Sequence, residues 1–305
     1  MSSASPLLYL KLLLVAFFWG GTWIAGRLAV AEAPPLTVAS WRFLLAALML
    51  GALLLKREGI PRWRAAEWLG LGILGLTGVF LYNLCFLNAL TAVEAGRGAL
   101  VVAFIPALIA LADWLLFRVP MSGRRALGVL LAMSGCLLVV TQGDPGRLFA
   151  KGGLGRGEWM LLGTALSWTA YTLASRRYSE HLSPLALAFG GCLCGWVMLT
   201  VAALAEGSLF ALGHMSWVGT SSIVFLGVFG TAIAFTWYSE GINRIGSTRA
   251  AAFINLVPVF AVLLGALLLD ERLGSRVLAG GACVIAGVLL TSQFKFSFRS
   301  TAKGG

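Results

Sequence analysis

Residues 71–83 read LGILGLTGVFLYN, and residues 223–235 read IVFLGVFGTAIAF. Both runs are almost wholly apolar. Each carries Gly-x-x-Gly in the same register, Gly75 and Gly78 in the first and Gly227 and Gly230 in the second. The offset of 152 residues also lays Arg97 on Arg249, Pro106 on Pro258, Arg124 on Arg276, Gly128 on Gly280 and Gly135 on Gly287. Nearer the N-terminus an offset of 149 lays Trp19 on Trp168, Arg27 on Arg176, Pro35 on Pro184 and Met49 on Met198. The difference of three residues fits one short insertion before the second run. Self-similarity at one long offset means that a single structural unit is written twice.

The surroundings of these runs say what kind of unit it is. Of 305 residues, 59% are hydrophobic and 11% charged, and the mean hydropathy is +0.90. Soluble domains carry about a quarter charged residues, so a cytosolic enzyme, a disordered chain and a free nucleic-acid binder are excluded. A bilayer core about 30 Å thick needs about 20 apolar residues per helix. Ten stretches meet that need, near 8–30, 36–55, 67–89, 95–117, 124–142, 157–178, 184–205, 216–238, 248–269 and 275–294. They are uniformly apolar rather than alternating, which selects helices over a barrel. Prolines and charges fill the short connections, and Pro begins helices better than it continues them. The first run reads as a retained span rather than a cleaved signal peptide. The expected fold is an all-α membrane protein of ten transmembrane helices. Five spans per repeat force the halves to enter the membrane from opposite sides, as two inverted five-helix repeats. The expected units are residues 1–143 and 155–295, with a short cytoplasmic tail at 296–305.

The net charge of +11 is largely a matter of topology. With the N-terminus inside, the cytoplasmic loops and C-terminus hold thirteen Lys and Arg, among them Lys56, Arg57, Arg124, Arg125, Arg176, Arg177, Lys295, Arg299 and Lys303. The other side holds at most seven, including Arg27, Arg97, Arg147 and Lys151. This bias predicts a multi-pass protein of the inner (plasma) membrane with both termini cytoplasmic.

Inverted halves can exchange conformations and so turn an inward-open cavity into an outward-open one, with the substrate near the midplane. That points to a carrier whose partners are a small-molecule substrate and the bilayer. It would act as a monomer or homodimer, with no nucleic acid, cofactor or metal. The enzyme signatures are absent: no phosphate-binding loop ends in Gly-Lys-Ser/Thr, there is no His-Glu-x-x-His, and His181 and His214 lie in opposite-side loops. The five cysteines all fall inside apolar spans and read as small packing residues.

The chain also resembles the drug/metabolite transporter superfamily, specifically its EamA-type ten-helix permeases. The resemblance rests on Trp19-Gly20-Gly21-Thr22, on Arg42-Phe43 and on the Ala-rich starts and later prolines at Ala99–Pro106 and Ala250–Pro258. Asp270-Glu271-Arg272-Leu273 and the glycines of spans 5 and 10 add to it. The first half departs from the pattern, with Arg118-Val119-Pro120-Met121 where the second has Asp270-Glu271. The resemblance implies a cavity lined by spans 1, 3, 4, 6, 8 and 9, spans 5 and 10 at the periphery, and export of metabolites or amino acids. The small multidrug relatives use a Glu inside the first helix, which is missing here, so export of lipophilic cations by proton exchange is disfavoured.

Few polar or aromatic residues fall near the midplane, and these form the candidate site. Trp19 and Trp168 lie about 16 Å from either end of their spans, and each indole N–H needs an acceptor. Thr22 and Trp23 accompany Trp19, while Thr164 and Tyr171 share a helix face with Trp168. Tyr82, Asn83, Trp237 and Asn255 complete the expected substrate-binding set. Each is either part of an aromatic, hydroxyl-bearing cavity wall or a packed or interhelically bonded side chain. Arg97 and Arg249 begin equivalent spans on opposite sides. They are either gate residues for a substrate carboxylate or interfacial residues, Arg97 with Glu94 at its side. Pro106 and Pro258 act either in gating motion or as fixed kinks. Arg42 is expected to snorkel to the interface, and Asp113 to pair with Arg118 or Arg124. The sequence thus predicts export of a neutral or zwitterionic metabolite, foremost an amino acid. The other readings are multidrug efflux and a non-transport helical assembly subunit.

Overall fold

The computed structural model describes residues 6–148, 153–178, 182–213 and 215–291. The expected tail at 296–305, Lys151, Lys295, His181 and His214 lie outside them. Ten helical segments form one bundle: α1 Pro6–Val30, α2 Pro35–Arg57, α3 Ala65–Leu90, α4 Ala95–Phe117, α5 Gly123–Val140, α6 Arg156–Tyr178, α7 Pro184–Ala205, α8 Trp217–Ile245, α9 Arg249–Leu268 and α10 Ser275–Thr291. Eight of them are long and apolar enough to cross a membrane. α10 has 17 residues. α6 is the polar one, and its hydroxyls are satisfied within the helix: Thr164 donates to Met160 O, Thr169 to Ala165 O and Thr172 to Trp168 O.

Helix starts follow local chemistry. Pro35 and Pro184 open α2 and α7, where a missing N–H costs nothing. Ser122, Ser183 and Ser216 cap α5, α7 and α8 by accepting backbone N–H bonds. The eighth span differs from the hydropathy reading. It continues past Tyr238 to Ile245, because Glu240 is held by Lys11 at 2.8 Å and by Arg244 at 3.1 Å. The helix stops only at Gly246, whose φ of 84° leaves the helical region.

The two halves repeat their irregularities as well as their spans. Wider π-type turns occur at Gly75–Leu81 in α3 and at Val228–Ile233 in α8. α4 is interrupted at Ala103–Phe104 and α9 at Asn255–Leu256, with Pro106 and Pro258 each in the first turn of the segment that follows. The left-handed residues Arg118 and Asp270 both have φ of 53°. All three pairs differ by the 152-residue offset or by one residue from it.

Packing repeats in the same way. α1 lies against α8 and α9, and α6 lies against α3 and α4, while α2 pairs with α7 and α5 with α10. Gly128 meets Gly287 backbone to backbone, and Gly135 meets Gly280. The offset carries the first contact onto the second with the partners exchanged, as a two-fold axis relating antiparallel helices requires. The Gly-x-x-Gly elements bring α3 onto α7 and α8 onto α2. A Cβ at Gly75 would stand 2.6 Å from Gly195 N, and one at Gly227 would stand 2.6 Å from Arg42 O.

Candidate substrate cavity and polar latches

Arg42 lies seven residues into α2 and points into the bundle. Its neighbours one turn away on α2, Val38 and Ala46, are fully buried, as is Ala39 at 1%. That face therefore turns inward, and Arg42 is only 6% exposed. The expected snorkelling to the interface does not occur. The guanidinium instead donates from Nη1 to Asn83 Oδ1 and from Nη2 to Thr231 Oγ1, each at 3.2 Å. Both partners are neutral, and both belong to the irregular turns or their edge. Asn83 Nδ2 donates to Val79 O at 2.7 Å, and the Thr231 hydroxyl donates to Leu226 O at 2.9 Å. A wide turn leaves carbonyls without their ordinary partners, and these side chains supply the missing donors.

The aromatic candidates form two packed chains. Trp19 donates its indole N–H to Gly230 O at 3.1 Å, and its ring stands edge-on to Phe235 and Tyr238. Thr22 donates to Trp19 O and presses its methyl on Gly230. Trp23, 3% exposed, stands edge-on to Phe86 at 4.8 Å and fills the space left by Gly98. Phe86 stacks on Tyr82, Tyr82 meets Trp168 at 5.1 Å, and Trp168 meets Tyr171 at 5.0 Å. Thr164 is fully buried within α6. Trp237 packs on Phe18, with Lys11 Nζ 5.9 Å from its ring centre. Asn255 is half-buried at the interruption of α9. The structure thus joins Trp23, Tyr82, Trp168 and Tyr171 in one aromatic chain and places Asn83 against Arg42. Trp237 and Asn255 lie apart from that chain.

A cavity of about 410 Å³ opens between the two halves. Its walls are Leu50, Leu185, Ala188, Phe235 and Thr236, and its rim carries Arg57, Glu58, Ser183, Ser239, Glu240, Asn243 and Arg244. The lining comes from α2, α7 and α8 with their flanking residues. This departs from the six-span lining expected, in which only span 8 recurs. The reason is that glycines close the bundle around α1. Gly20 abuts Phe260 and Ala261 of α9, and Gly26 abuts Leu90. None of the ten expected binding residues lines the cavity, although Phe235 joins its floor to Trp19.

The opposite face is tied by charge. Arg97 is 2% exposed and donates to Glu158 Oε1 at 2.6 Å, with Glu94 at 3.4 Å. This fastens the start of α4 to the start of α6. Glu271, between α9 and α10, accepts the Ala95 and Gly96 N–H groups at 2.7 and 2.9 Å. A carboxylate there satisfies orphan donors and opposes the helix dipole. Arg27 lies 3.7 Å from the same carboxylate and donates to the Val93 carbonyl. Arg249 is exposed, so the two equivalent arginines occupy unlike environments. At the other end of α4, on the cavity's side, Asp113 pairs with Arg176 at 2.7 Å and Arg125 at 3.5 Å rather than with Arg118 or Arg124. The role of Glu158 and the partners of Glu271, which the sequence shows only within its Asp270-Glu271 motif, were not legible because the paired residues lie 61 and 176 residues away. For Glu158 the local trace is a carboxylate in the first turn of α6.

On the face of Arg97 and Glu271, Glu32 accepts both the Ser216 N–H and the Ser216 hydroxyl at 2.7 Å. These bonds hold its carboxyl below the ordinary value of 4.5. The folded protein therefore binds this proton less readily than the unfolded chain. The tether is complete above 4.5 and is lost as pH falls through the lower folded value. Glu32→Ala is expected to destabilise the protein near neutral pH and to match the parent once the carboxyl is protonated. Thermal unfolding across that pH range would show it, and a constant difference would contradict it.

Comparison with known proteins bears on the whole chain. The profile of the EamA-like transporter family matches residues 6–141 and again 155–293. The chain is 28% identical over 293 residues to the Bacillus subtilis "Uncharacterized transporter YyaM", covering 93% of each. It is 29% identical over 276 residues to the Escherichia coli "Uncharacterized inner membrane transporter YedA", covering 90% of this chain and 87% of that one. Identity to the Arabidopsis thaliana "WAT1-related protein At3g02690, chloroplastic" is 25%, over 90% of this chain and 67% of that one. A protein crystal structure superposes with a TM-score of 0.64 at 20% identity, covering 95% of this chain and 98% of that one.

Proposed function

The chain belongs to the EamA-like transporter family, and on that premise we propose that it exports a small neutral or zwitterionic metabolite, foremost an amino acid, by alternating access. It is a multi-pass membrane protein. In the proposal it lies in the inner membrane with both termini in the cytoplasm. The observation that carries this reading is the division between its two faces. One face is tied by Arg97–Glu158, Arg27–Glu271 and Glu32–Ser216. The other is joined by Asp113–Arg176, Lys11–Glu240 and Ser183–Glu58, yet it admits a cavity between the halves, with apolar walls and a rim bearing two arginines and two glutamates. A solute with an apolar side chain and both charges suits such walls and rim. The rim lies on the face richer in Lys and Arg, the cytoplasmic one by the charge rule, so the cavity would load from inside.

In this scheme the ties on the far face separate when the halves exchange conformations. Arg97 is then a residue of the gate, and the interruptions before Pro106 and Pro258 are where α4 and α9 bend. The test is counterflow. Proteoliposomes preloaded with a mixture of unlabelled amino acids should accumulate labelled leucine or phenylalanine above protein-free vesicles. Accumulation of quaternary cations alone would support multidrug efflux instead, and no movement of any solute would overturn the transport reading of this cavity.

A further inference from the structure

We infer that Arg42 is the binding site for a carboxylate of the transported solute. This narrows the substrate class to carboxylate-bearing molecules and rests on the transport reading above.

A guanidinium stays protonated wherever it is placed, and a buried charge is costly unless it is paired. Elsewhere this chain observes the rule. Buried Arg97 has Glu158, Arg27 has Glu271, and Asp113 has Arg176. Arg42 is the exception. Among the described residues no carboxylate pairs with it; the Phe43 ring centre lies 4.9 Å from its Cζ, a cation–π contact that leaves the charge unneutralised. Its Nε is buried with no hydrogen-bond partner. Its two bonds, each 3.2 Å long, exceed the roughly 2.7–2.9 Å of charge-assisted pairs. Five N–H donors are available on a guanidinium, and two are used here.

The partners are built to hold the group without neutralising it. Asn83 spends its amide N–H on Val79 O, so its oxygen faces Arg42. Thr231 spends its hydroxyl proton on Leu226 O, so a lone pair faces Arg42. Both are anchored at the wide turns of α3 and α8, a backbone feature that recurs at functional sites. A carboxylate presents two coplanar oxygens that match a guanidinium edge, and binding one would supply the missing charge.

Position agrees with this role. Arg42 and Asn83 come from the first half and Thr231 from the second. Leu50, which lines the cavity, lies eight residues further along α2, about 12 Å by helical rise. Thr236, also in the lining, lies five residues beyond Thr231 on α8. The offset of 149 places Gly191 at the position equivalent to Arg42. The two-fold arrangement therefore holds one such charge, and one carboxylate is expected per transport cycle.

The test compares matched probes on the intact protein. Phenylalanine and leucine should raise the melting temperature of the purified wild type, while phenylalaninamide and leucinamide should not. Arg42→Gln should abolish the response. Asn83→Asp is the sharper variant, because it brings a carboxylate to the guanidinium from within. It should be at least as stable as the parent, yet lose about tenfold or more of the affinity for the amino acids, the equivalent of a lost charge-assisted bond. The inference is overturned if acids and amides act alike on the wild type, or if Asn83→Asp keeps its full response. It is also overturned if chloride or inorganic phosphate protects as well as the amino acids. Counterflow separates this claim from the broader one. Equal transport of acids and amides removes the Arg42 site and leaves the transporter. Carboxylate binding that Arg42→Gln abolishes, with no solute moved by the wild type, supports the site and removes the transport reading.

Discussion

Glu158→Gln is expected to destabilise the folded protein by about 3–5 kcal/mol, the cost of leaving one member of a buried pair without its counter-charge. Arg97 is 3% exposed in its side chain and Glu158 12%, so solvent screens neither. The Arg97 Nε and Nη1 have no hydrogen-bond partners. Once the Glu158 charge is removed, Glu94 at 3.4 Å is the carboxylate left facing the guanidinium among the described residues, and its side chain is 44% exposed. The amide could still accept a bond, but it cannot balance the charge. Replacing both residues by leucine should recover most of the loss, since a buried pair exchanged for apolar side chains is often neutral. Arg249 supplies the internal control. It occupies the equivalent position but is exposed, so Arg249→Ala should stay within about 0.5 kcal/mol of the parent. Denaturation of the three variants in one detergent measures these differences. A Glu158→Gln protein as stable as the Arg249→Ala protein would show that the pair does not fasten α4 to α6.

The contrast between Arg97 and Arg249 shows where sequence reading ends. Their equivalence was legible because the chain repeats itself, and the repeat carried the number of helices, their inversion and the sites of the proline-linked interruptions. All of these are properties of the backbone. The irregular turns at Gly75–Leu81 and Val228–Ile233 were visible only as paired glycines, since a glycine in an apolar helix also reads as a packing residue. What each arginine touches is a property of the other half. Arg97 finds Glu158 and Arg27 finds Glu271, and no local pattern selects those partners.

Arg42 failed for a related reason. Seven residues into a span, an arginine can reach the interface or the interior, depending on which way its helix face turns. The small and apolar neighbours Val38, Ala39 and Ala46 held that information. Of the candidate site, Asn83 and Trp19 each bond to a neighbouring helix, which is the interhelical alternative to a cavity wall. The cavity between α2, α7 and α8 could not be foreseen, because packing around α1 decides it.

The α5–α10 pair should break when Gly135 is enlarged. A Cβ at this position would lie 2.5 Å from Gly280 O and 2.7 Å from Val284 N. These are backbone atoms of a helix and cannot rotate aside, so the helices must separate. Gly135→Ala is expected to cost about 1–3 kcal/mol, and Gly135→Leu more, as overpacking usually does. Gly280→Ala should behave alike, because its Cβ would stand 2.9 Å from Gly135 O across the same contact. Gly123, with nothing within 4 Å of a Cβ, should accept alanine with no loss. The affected contacts are also dispersion contacts that hydrophobicity cannot replace, since lipid tails are as apolar as the side chains they would displace. Thermal unfolding ranks the four variants, and equal stability of Gly135→Leu and Gly123→Ala would refute the close packing. Transport per folded molecule carries a second answer. α5 and α10 contribute nothing to the cavity lining, so Gly135→Ala should lose stability while its surviving molecules transport at the parent rate. A fall in that rate, out of proportion to the folded fraction, would mean that the pair moves with the gates instead of bracing them.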